Sequence, residues 1–405
     1  MTESLKGFAT PGRQYLVITI SYWLFTITDG ALRMLIVLHF HNLGYSTLQI
    51  AFLFLFYEAF GVVTNLIGGY LGARFGVNRV MNYGLVLQIG ALAMLLVPEV
   101  SLTVVWVMCA QAMSGVSKDL NKMSAKSAIK FLLPDDAQGR LYLWVARLTG
   151  SKNALKGFGF FLGAVLLSTY SFRLAIIVLL GLILVAVTLN IILLTGDLGR
   201  SITKPKFNQL FSRSRAINLL STARVFLFAS RDAWFVVGLP VYFATEMDFS
   251  HWQTGSFMAV WIIVYGIVQA FAPQITRTRE SGANSKLSMQ WVIVLFITTI
   301  LVTTGFSMHW PAVYTLLPGL FIFGVIFAVN SSIHSYLIVS YANRDNASID
   351  VGFYYMANAA GRLTGTLLSG YLYLTGGLLA CLIGSCSLLL LATIASTYLY
   401  LHNRQ

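Results

Sequence analysis

Four lysines stand at a regular interval in the stretch SGVSKDLNKMSAKSAIK, residues 114–130. They occupy positions 118, 122, 126 and 130, and a four-residue interval places them along one face of an α-helix. The residues just before them, LTVVWVMCAQAM, are apolar enough to lie in a membrane. Such a row of ammonium groups could bind an anion inside the protein, or it could reach lipid head groups.

The composition indicates a membrane protein with many spans. Of 405 residues, 57% are hydrophobic and only 10% are charged, whereas soluble domains are about one quarter charged. The N-terminal MTESLKGFATPGRQ is polar, so no cleavable signal peptide is predicted. The three cysteines lie in apolar segments without ligand-like spacing, which favours packing roles over disulfides or a metal site.

Apolar segments long enough to cross a bilayer, about 20 residues each, predict an all-α protein with twelve transmembrane helices. A polar, basic link predicts a division into an N-terminal six-helix bundle (1–195), a linker (196–215) and a C-terminal six-helix bundle (216–405). The predicted spans are roughly 15–40, 47–71, 79–98, 101–131, 139–168, 171–195, 216–244, 251–275, 287–307, 312–340, 348–374 and 376–401.

The two halves share a pattern that indicates an internal repeat. Setting FTITDGALRMLIVLHF over FASRDAWFVVGLPVYF aligns Asp29 with Asp232. A Ser-x-x-Gln capping box follows each of them about 20 residues later, starting at Ser46 and at Ser250. Two matches in step predict two related, pseudo-symmetric bundles.

Basic residues between the spans predict the orientation. If the N-terminus is inside, sixteen lysines and arginines fall in inner segments and one, Arg173, falls outside. This bias predicts that both termini are cytoplasmic, and it accounts for most of the net charge of +13 without a nucleic-acid partner.

The remaining charges are predicted to lie inside or close to the membrane, and most of them are positive. A charge at the membrane centre costs about 2.5–3.5 kcal/mol, so an unneeded one rarely persists. Five cations would remain after every acid is paired, which is what a pathway for a multiply charged anion requires. The cations are Arg33, Lys118, Lys122, Lys126, Arg147, Lys152, Lys156, Arg224, Arg231 and Arg362, and the acids are Asp29, Glu58, Asp119, Asp232 and Asp350.

The lysines of the fourth and fifth spans are the main candidates for anion binding. Lys118, Lys122, Lys152 and Lys156 are predicted to form a positive path from the cytoplasm towards mid-membrane. Lys126 and Lys130 are expected to reach the head groups, and Lys130 is expected to lie in the cytoplasm.

Three arginines are further candidates for substrate contact, with structural ion pairing as the alternative for each. Arg33 is four residues from Asp29 and could pair with it. Arg231 adjoins Asp232, and the two are expected not to face each other, so that one of them needs another partner. Arg362 lies mid-span among small residues that permit tight helix packing. Glu58 is either a proton carrier or a structural acid.

The link GGYLGARFGVNRVM resembles the loop between the second and third spans of the major facilitator superfamily, which reads Gly-x-Leu-x-Asp-Arg-x-Gly-Arg-Arg. Gly69, Leu71, Arg74, Gly76 and Arg79 match or nearly match this pattern, and Ala73 replaces its acid. GSKNALKGFGFFLG resembles the antiporter motif of that superfamily without its proline. The resemblance implies the major facilitator fold and transport by alternating access.

A closer resemblance is to the ArsJ family of organoarsenical efflux permeases. It covers nearly the whole chain and is densest in the first half, in SYWLFTITDGALRMLIVLHFHNLGYSTLQIAFLFLFYEAFGVVTNLIGG, in SGVSKDLNKMSAKSAIK and in LTGSKNALKGFGFFLG. It implies export of 1-arseno-3-phosphoglycerate across a bacterial inner membrane. It also implies a functional partnership with the glyceraldehyde-3-phosphate dehydrogenase that makes this compound from arsenate, and no cofactor.

Other functions remain open at the level of sequence. An organophosphate or inorganic anion exchanger would use the same lysines. An enzyme is not expected, because no nucleophile motif, Walker-type loop or histidine-rich metal pattern is present. A sensor would need a signalling domain, and no segment is long enough to form one. The coupling ion is not predicted, since proton antiport, anion exchange and uniport all suit the sequence.

Overall fold

The computed structural model describes residues 10–45, 50, 53–194, 198–201 and 214–404, with side chains for all of these except residues 55, 58, 251 and 252. Helices fill nearly all of these ranges, and no β-strand occurs in them. The prediction of an all-α protein is therefore confirmed.

Twelve α-helical elements follow one another in the described residues. They are α1 (Pro11–Asn42), α2 (Leu55–Phe75), α3 (Val77–Met94), α4 (Val104–Leu132), α5 (Gln138–Thr169), α6 (Phe172–Leu193), α7 (Arg215–Phe235), α8 (Gly238–Thr245), α9 (His251–Ile275), α10 (Ser285–Ser307), α11 (Ala312–Tyr341) and α12 (Ala347–His402). The seventh predicted span corresponds to α7 and α8 together. The eleventh and twelfth spans form the two parts of α12.

Local sequence explains where several helices begin and end. The side chains of Thr103 and Ser171 accept the backbone N–H of the third helical residue of α4 and α6. Ser250 and Gln253 form the predicted capping box at the start of α9. Within α12, Gly377 adopts a φ of 61°, which breaks the helix at a conformation that glycine tolerates best. The other predicted capping box, at Ser46, lies outside the described residues.

Seven described segments are long and apolar enough to cross a membrane by length and composition. They are Pro11–Asn42, Phe172–Leu193, Arg215–Thr245, Gln253–Ile275, Ser285–Ser307, Ala312–Tyr341 and Arg344–His402. The helices α4 and α5 are not among them, and these two helices contain six of the ten cations assigned to the membrane region.

The chain forms two compact units. The first comprises Met1–Ala137, Ser151–Phe211 and Ala342–Met356, and the second comprises Gln138–Gly150, Ser212–Tyr341 and Ala357–Gln405. Each unit has its own apolar core, with Phe25, Leu35 and Phe40 in the first and Trp234 and Phe327 in the second. The predicted division at the linker 196–215 stays a prediction. In the structure, the second unit includes the first residues of α5, and the first unit includes the first residues of α12.

Candidate functional site

A buried aspartate in the first unit lies among polar side chains from three other helices. Asp29 on α1 is 5% exposed, and one of its carboxylate oxygens accepts a hydrogen bond from the Tyr57 hydroxyl of α2 at 2.5 Å. The other oxygen lies 3.8 Å from the Lys156 ammonium of α5. Lys118 of α4 places its ammonium 3.8 Å from the centroid of the Tyr57 ring. These four residues are called the Asp29 cluster below. One ammonium group lies beside the carboxylate, and a second lies beside the tyrosine ring that donates to it.

Arg33 lies beside this cluster. Its guanidinium is 5.0 Å from the ring centroid of Phe54 and 5.4 Å from that of Tyr57. Both distances are within the range in which a cation is attracted to an aromatic face. Arg33 is therefore held next to the Asp29 cluster by aromatic rings of the second predicted span.

The row Lys118, Lys122, Lys126 and Lys130, called the lysine row, is held by close packing of α4. Ser117 donates a hydrogen bond to the Gly84 carbonyl of α3 at 2.5 Å. A Cβ on Gly115 would lie 2.6 Å from the Tyr57 carbonyl oxygen, so only glycine permits this approach to α2. Small residues thus let neighbouring helices enclose the face of α4 from which the lysines extend.

The middle of the lysine row contacts one acid and one tyrosine. Lys122 is 2.5 Å from Asp119, which is 2% exposed, and lies 5.0 Å from the ring centroid of Tyr355 on α12. Lys126 donates a hydrogen bond to the Tyr355 hydroxyl. Tyr355 therefore contacts two consecutive members of the lysine row.

The expectation that Lys126 and Lys130 reach lipid head groups is wrong. Their exposed fractions are 3% and 6%, so both lie inside the protein. Lys130 pairs with Asp135 at 3.3 Å, and Arg344 lies 3.7 Å from the other oxygen of the same carboxylate. The sequence spacing predicted correctly that the lysines share one face of the helix. It did not predict that Asp135 of the following loop and Tyr355 of α12 would cover that face.

A second buried aspartate, Asp232 on α7, binds two arginines in the second unit. The Nε and Nη2 atoms of Arg231 lie 2.6 and 2.5 Å from one carboxylate oxygen. Arg362 of α12 places its Nε 3.4 Å from the other oxygen. The expectation that the adjoining Arg231 and Asp232 cannot meet is wrong, because the long arginine side chain folds back along the helix. These three residues are called the Asp232 cluster.

The two clusters occupy equivalent places in the proposed repeat. Asp29 pairs with a cation from α5, and Asp232 pairs with one from α12. Three residues after each cation stands a glycine, Gly159 or Gly365. A Cβ there would lie 2.6 Å from the Ile27 carbonyl oxygen or 2.7 Å from that of Ala229. In both halves, a glycine lets the cation-bearing helix approach the acid-bearing helix closely.

A third polar group surrounds Arg224, to which the sequence assigned no specific role. Its Nε donates to Asn358 at 2.8 Å, and its Nη1 donates to the Ser331 hydroxyl at 3.0 Å. Tyr265 and Gln269 of α9 also donate to that hydroxyl, each at 3.1 Å. The available signal in the sequence was the polar run NSSIHS, residues 330–335, inside an apolar span.

The other predicted site residues lie on α5, on α2 and at the start of α12. Lys152 is half-buried on α5, one turn before Lys156. One Asp350 oxygen accepts the backbone N–H of Asn343 at 3.3 Å, a local contact at the start of α12. Arg147 is exposed on α5. The side chain of Glu58 lies outside those that the structure describes.

Among the described side chains, no group of three or more His, Cys, Asp and Glu residues is placed to hold a metal ion. Cys109, Cys381 and Cys386 are free thiols. The arrangement is thus one of ammonium and guanidinium groups around buried carboxylates, which suits binding of an anion.

Comparison with known proteins identifies the family. Residues 18–366 match the family model of the Major Facilitator Superfamily. The fold is similar to that of a bacterial homologue of the iron transporter ferroportin in an outward-facing state, with a TM-score of 0.79 and 16% identity over 96% of this chain and 99% of that one. It is also similar to the human organic anion transporter MFSD10 (TETRAN), with a TM-score of 0.74 and 16% identity over 95% and 99% of the two chains. A third similar structure is the fucose:proton symporter FucP of E. coli, with a TM-score of 0.74 and 11% identity over 95% and 98%. No curated protein sequence matches the chain.

Proposed function

The chain belongs to the major facilitator superfamily, and on that premise we propose that it exports 1-arseno-3-phosphoglycerate and so confers resistance to arsenate. Membership makes it a multi-pass secondary transporter of a small solute. Beyond membership, we propose the identity of the cargo and the direction in which it is transported. The similarity of three long stretches to the ArsJ permeases, described above, supports both.

One observation supports an anionic cargo most strongly. Within the Asp29 cluster, the ammonium group of Lys118 lies beside the Tyr57 ring and that of Lys156 lies beside the Asp29 carboxylate. Around it, interior cations outnumber the acids of the same helices. The cations are Arg33, Lys118, Lys122, Lys126, Lys152 and Lys156, and the acids are Asp29, Glu58 and Asp119. A buried charge is retained when it pairs or serves transport, so a surplus of this sign favours a polyanion.

The chemistry of the cargo fits lysine better than arginine. The compound has an arsenate ester at one end, a phosphate at the other and little apolar surface. A lysine ammonium is a compact point charge on a flexible stem, so it can follow an anion that moves, whereas the planar arginine fork favours one pose. We therefore propose that four lysines keep contact with the cargo while it moves through the protein: Lys118, Lys122, Lys152 and Lys156. Further substrate contacts are assigned to Arg33, Arg231 and Arg362.

The membrane potential supplies a sufficient driving force for export. A negative interior favours outward movement of an anion by about 2.3 kcal/mol per charge per 100 mV. This requires that the protein sit in the bacterial inner membrane with both termini in the cytoplasm. A cysteine placed at position 206 should then react with an impermeant thiol reagent only in everted vesicles. Labelling of intact cells at that position would contradict the orientation.

Cellular resistance tests the cargo. Cells expressing the chain should resist arsenate only when the arsenylating glyceraldehyde-3-phosphate dehydrogenase is also present, because the dehydrogenase makes the exported compound. Lys156→Gln should remove this resistance. Lys286→Gln is the matched control, since Lys286 is exposed at the start of α10 and should leave resistance unchanged.

The second candidate is an exchanger of organophosphates or inorganic anions, which the same lysines would serve. The similar human structure is named as an organic anion transporter, so this fold is compatible with anionic cargo. Equal resistance with and without the dehydrogenase would favour this candidate, because it would mean that arsenate itself is exported.

A further inference from the structure

Tyr57 of α2 is an uncharged member of the Asp29 cluster, and the sequence assigned it no role. Its side chain is 2% exposed. The hydroxyl donates to Asp29 at 2.5 Å, and the centroid of the ring lies 3.8 Å from the Lys118 ammonium. The Arg33 guanidinium lies 5.4 Å from the same centroid. One neutral side chain thus contacts an acid and two of the cations proposed to bind the cargo.

The position of the Tyr57 ring is set by a close helix crossing and by a second ring. A Cβ on Gly115 of α4 would lie 2.6 Å from the Tyr57 carbonyl oxygen and 2.9 Å from its Cα, so α2 and α4 cross closely here. Lys118 follows Gly115 by three residues and therefore lies on the same face of α4. Phe54 packs against Tyr57 in a T-shaped arrangement, with the centroids 6.5 Å apart, and lies 5.0 Å from the Arg33 guanidinium.

An aromatic ring can hold a cation and still release it to an anion. The face of the ring attracts the cation through its quadrupole, and the attraction is largest where water is excluded. A phosphate or arsenate oxygen carries formal charge and makes a charge-assisted hydrogen bond, which is a stronger interaction. The Tyr57 ring therefore keeps Lys118 and Arg33 in place before the cargo arrives and competes with the cargo less than a carboxylate in the same position would.

The hydroxyl of Tyr57 links the ring to the acid of the cluster. It donates to one oxygen of the Asp29 carboxylate, and the Lys156 ammonium lies beside the other oxygen at 3.8 Å. A hydrogen bond to a charged acceptor is directional and strong, so it fixes the orientation of the ring. The two cations at the ring and the third cation at the carboxylate are thereby held in one arrangement.

The second unit also places two cations at one aromatic ring, but on a different helix. Arg224 and Arg231 lie 3.9 and 4.9 Å from the ring centroid of Phe228 on α7. The alignment of the two aspartates places Phe25 of α1 opposite Phe228. Phe25, however, belongs to the apolar core of the first unit. In that unit, the ring beside the cations is Tyr57, which adds a hydroxyl that phenylalanine lacks.

We propose that Tyr57 is a positioning residue for the cargo. Its ring holds Lys118 and Arg33 where they meet a phosphate or arsenate group, and its hydroxyl fixes the ring against Asp29. Two cations suit a doubly charged oxyanion better than a singly charged carboxylate, so this cluster binds a phosphate or arsenate end of the cargo. The inference rests on the proposed transport of an anion and assigns one end of that anion to a place in the protein.

The test measures binding to the purified protein by calorimetry, with inorganic phosphate, 3-phosphoglycerate and glycerate as ligands. Tyr57→Leu removes the ring and should weaken binding of the two phosphate-containing ligands about tenfold. Glycerate has no phosphate, so its affinity should change little and the preference for 3-phosphoglycerate over glycerate should fall. Tyr57→Phe restores the ring and should recover most of the lost affinity. A purely structural defect would weaken all three ligands together.

Phe40→Leu is the matched control. Phe40 is 0% exposed and lies in the apolar core of the same unit, about three turns after Asp29 on α1. The variant removes a buried ring of similar size and should keep the wild-type affinity for all three ligands. Tyr57→Met provides a second variant without a ring if the leucine variant does not fold.

The possible contradictions separate this inference from the proposed function. If Lys156→Gln weakens binding of 3-phosphoglycerate and a folded Tyr57→Leu does not, the inference is wrong and the anionic cargo stands. Equal weakening of 3-phosphoglycerate and glycerate in Tyr57→Leu would leave Tyr57 a structural role only. A Tyr57→Phe variant as weak as Tyr57→Leu would overturn the role of the ring. If the wild type binds neither inorganic phosphate nor 3-phosphoglycerate, the proposed function fails and this inference fails with it.

Discussion

The Asp29 and Asp232 clusters each pair an aspartate with a cation from an equivalent helix, but they hold the aspartate differently. Asp29 accepts one hydrogen bond from Tyr57 and has a lysine at 3.8 Å. Asp232 has two nitrogens of Arg231 within 2.6 Å and Arg362 at 3.4 Å. Two arginines fix a carboxylate in one geometry, whereas a lysine at the longer distance can exchange one partner for another. We infer that the first cluster contributes the contacts that move with the cargo, and that the second stabilises its unit in addition to its proposed substrate contacts.

The largest expected effect is on stability, from Asp232→Asn. This change keeps the shape of the side chain but leaves two arginines beside a neutral, buried amide. Removal of one partner of a buried ion pair costs about 3–5 kcal/mol. The thermal unfolding temperature of the purified protein should fall well below that of the wild type. Asp29→Asn should lower it less, since Lys156 lies farther from the carboxylate. Equal losses in the two variants would remove the proposed difference between the clusters.

The next largest effect is expected on transport, from Lys156→Gln. A hydrogen bond to a charged group contributes about 1.5–3 kcal/mol, so loss of one contact should weaken cargo binding by roughly ten- to a hundredfold. Membrane abundance should stay normal. Lys130 is buried and paired with Asp135, so it is unsuitable as a control, and exposed Lys286 is used instead. If the Lys156→Gln variant transported the cargo as fast as the wild type, Lys156 would have only a structural role.

A smaller effect is expected from the glycines that let the paired helices approach each other. Gly159→Ala and Gly365→Ala would each place a methyl group within 2.7 Å of a carbonyl oxygen. Overpacking of this kind costs about 1–3 kcal/mol, so both variants should unfold at lower temperature. Gly181→Ala is the control, because a Cβ there meets nothing within 4 Å. If only one of the two variants unfolds at a lower temperature than the wild type, the two helix crossings are not equivalent.

The smallest effect is expected at the capping boxes. Ser250→Ala removes the side chain that accepts the Gln253 backbone N–H at 3.2 Å and should cost about 1 kcal/mol. The repeat predicts a loss of the same size for Ser46→Ala, in a segment outside the described residues. A shift in unfolding temperature in the first variant alone would weaken the case for equivalent halves.

Much of the fold could be predicted from the sequence, because it follows from features with a period or a fixed position. Apolar length predicted the positions of most helices, the Ser-x-x-Gln pattern predicted the cap of α9, and the four-residue spacing predicted the common face of the lysine row. Alignment of Asp29 with Asp232 predicted two related halves, and in the structure each of these aspartates lies beside a cation of a later helix.

The partners within the site could not be predicted in the same way, because they depend on tertiary packing. Nothing in the local sequence indicates that Tyr355, more than 200 positions away, contacts Lys122 and Lys126. The reach of Arg231 back to Asp232 depends on its rotamer and not on helix spacing. Arg224 received no specific role because a count of charges does not reveal neutral partners such as Asn358 and Ser331.

Uptake by everted membrane vesicles tests the central claim most directly. Vesicles that contain the chain are supplied with the dehydrogenase, glyceraldehyde 3-phosphate, NAD and arsenate, and accumulated organoarsenical is measured with and without an imposed membrane potential. The account predicts accumulation of 1-arseno-3-phosphoglycerate that exceeds accumulation of 3-phosphoglycerate, increases when the lumen is positive, and is lost in Lys156→Gln. Equal accumulation in vesicles without the chain, or in the Lys156→Gln variant, would contradict it.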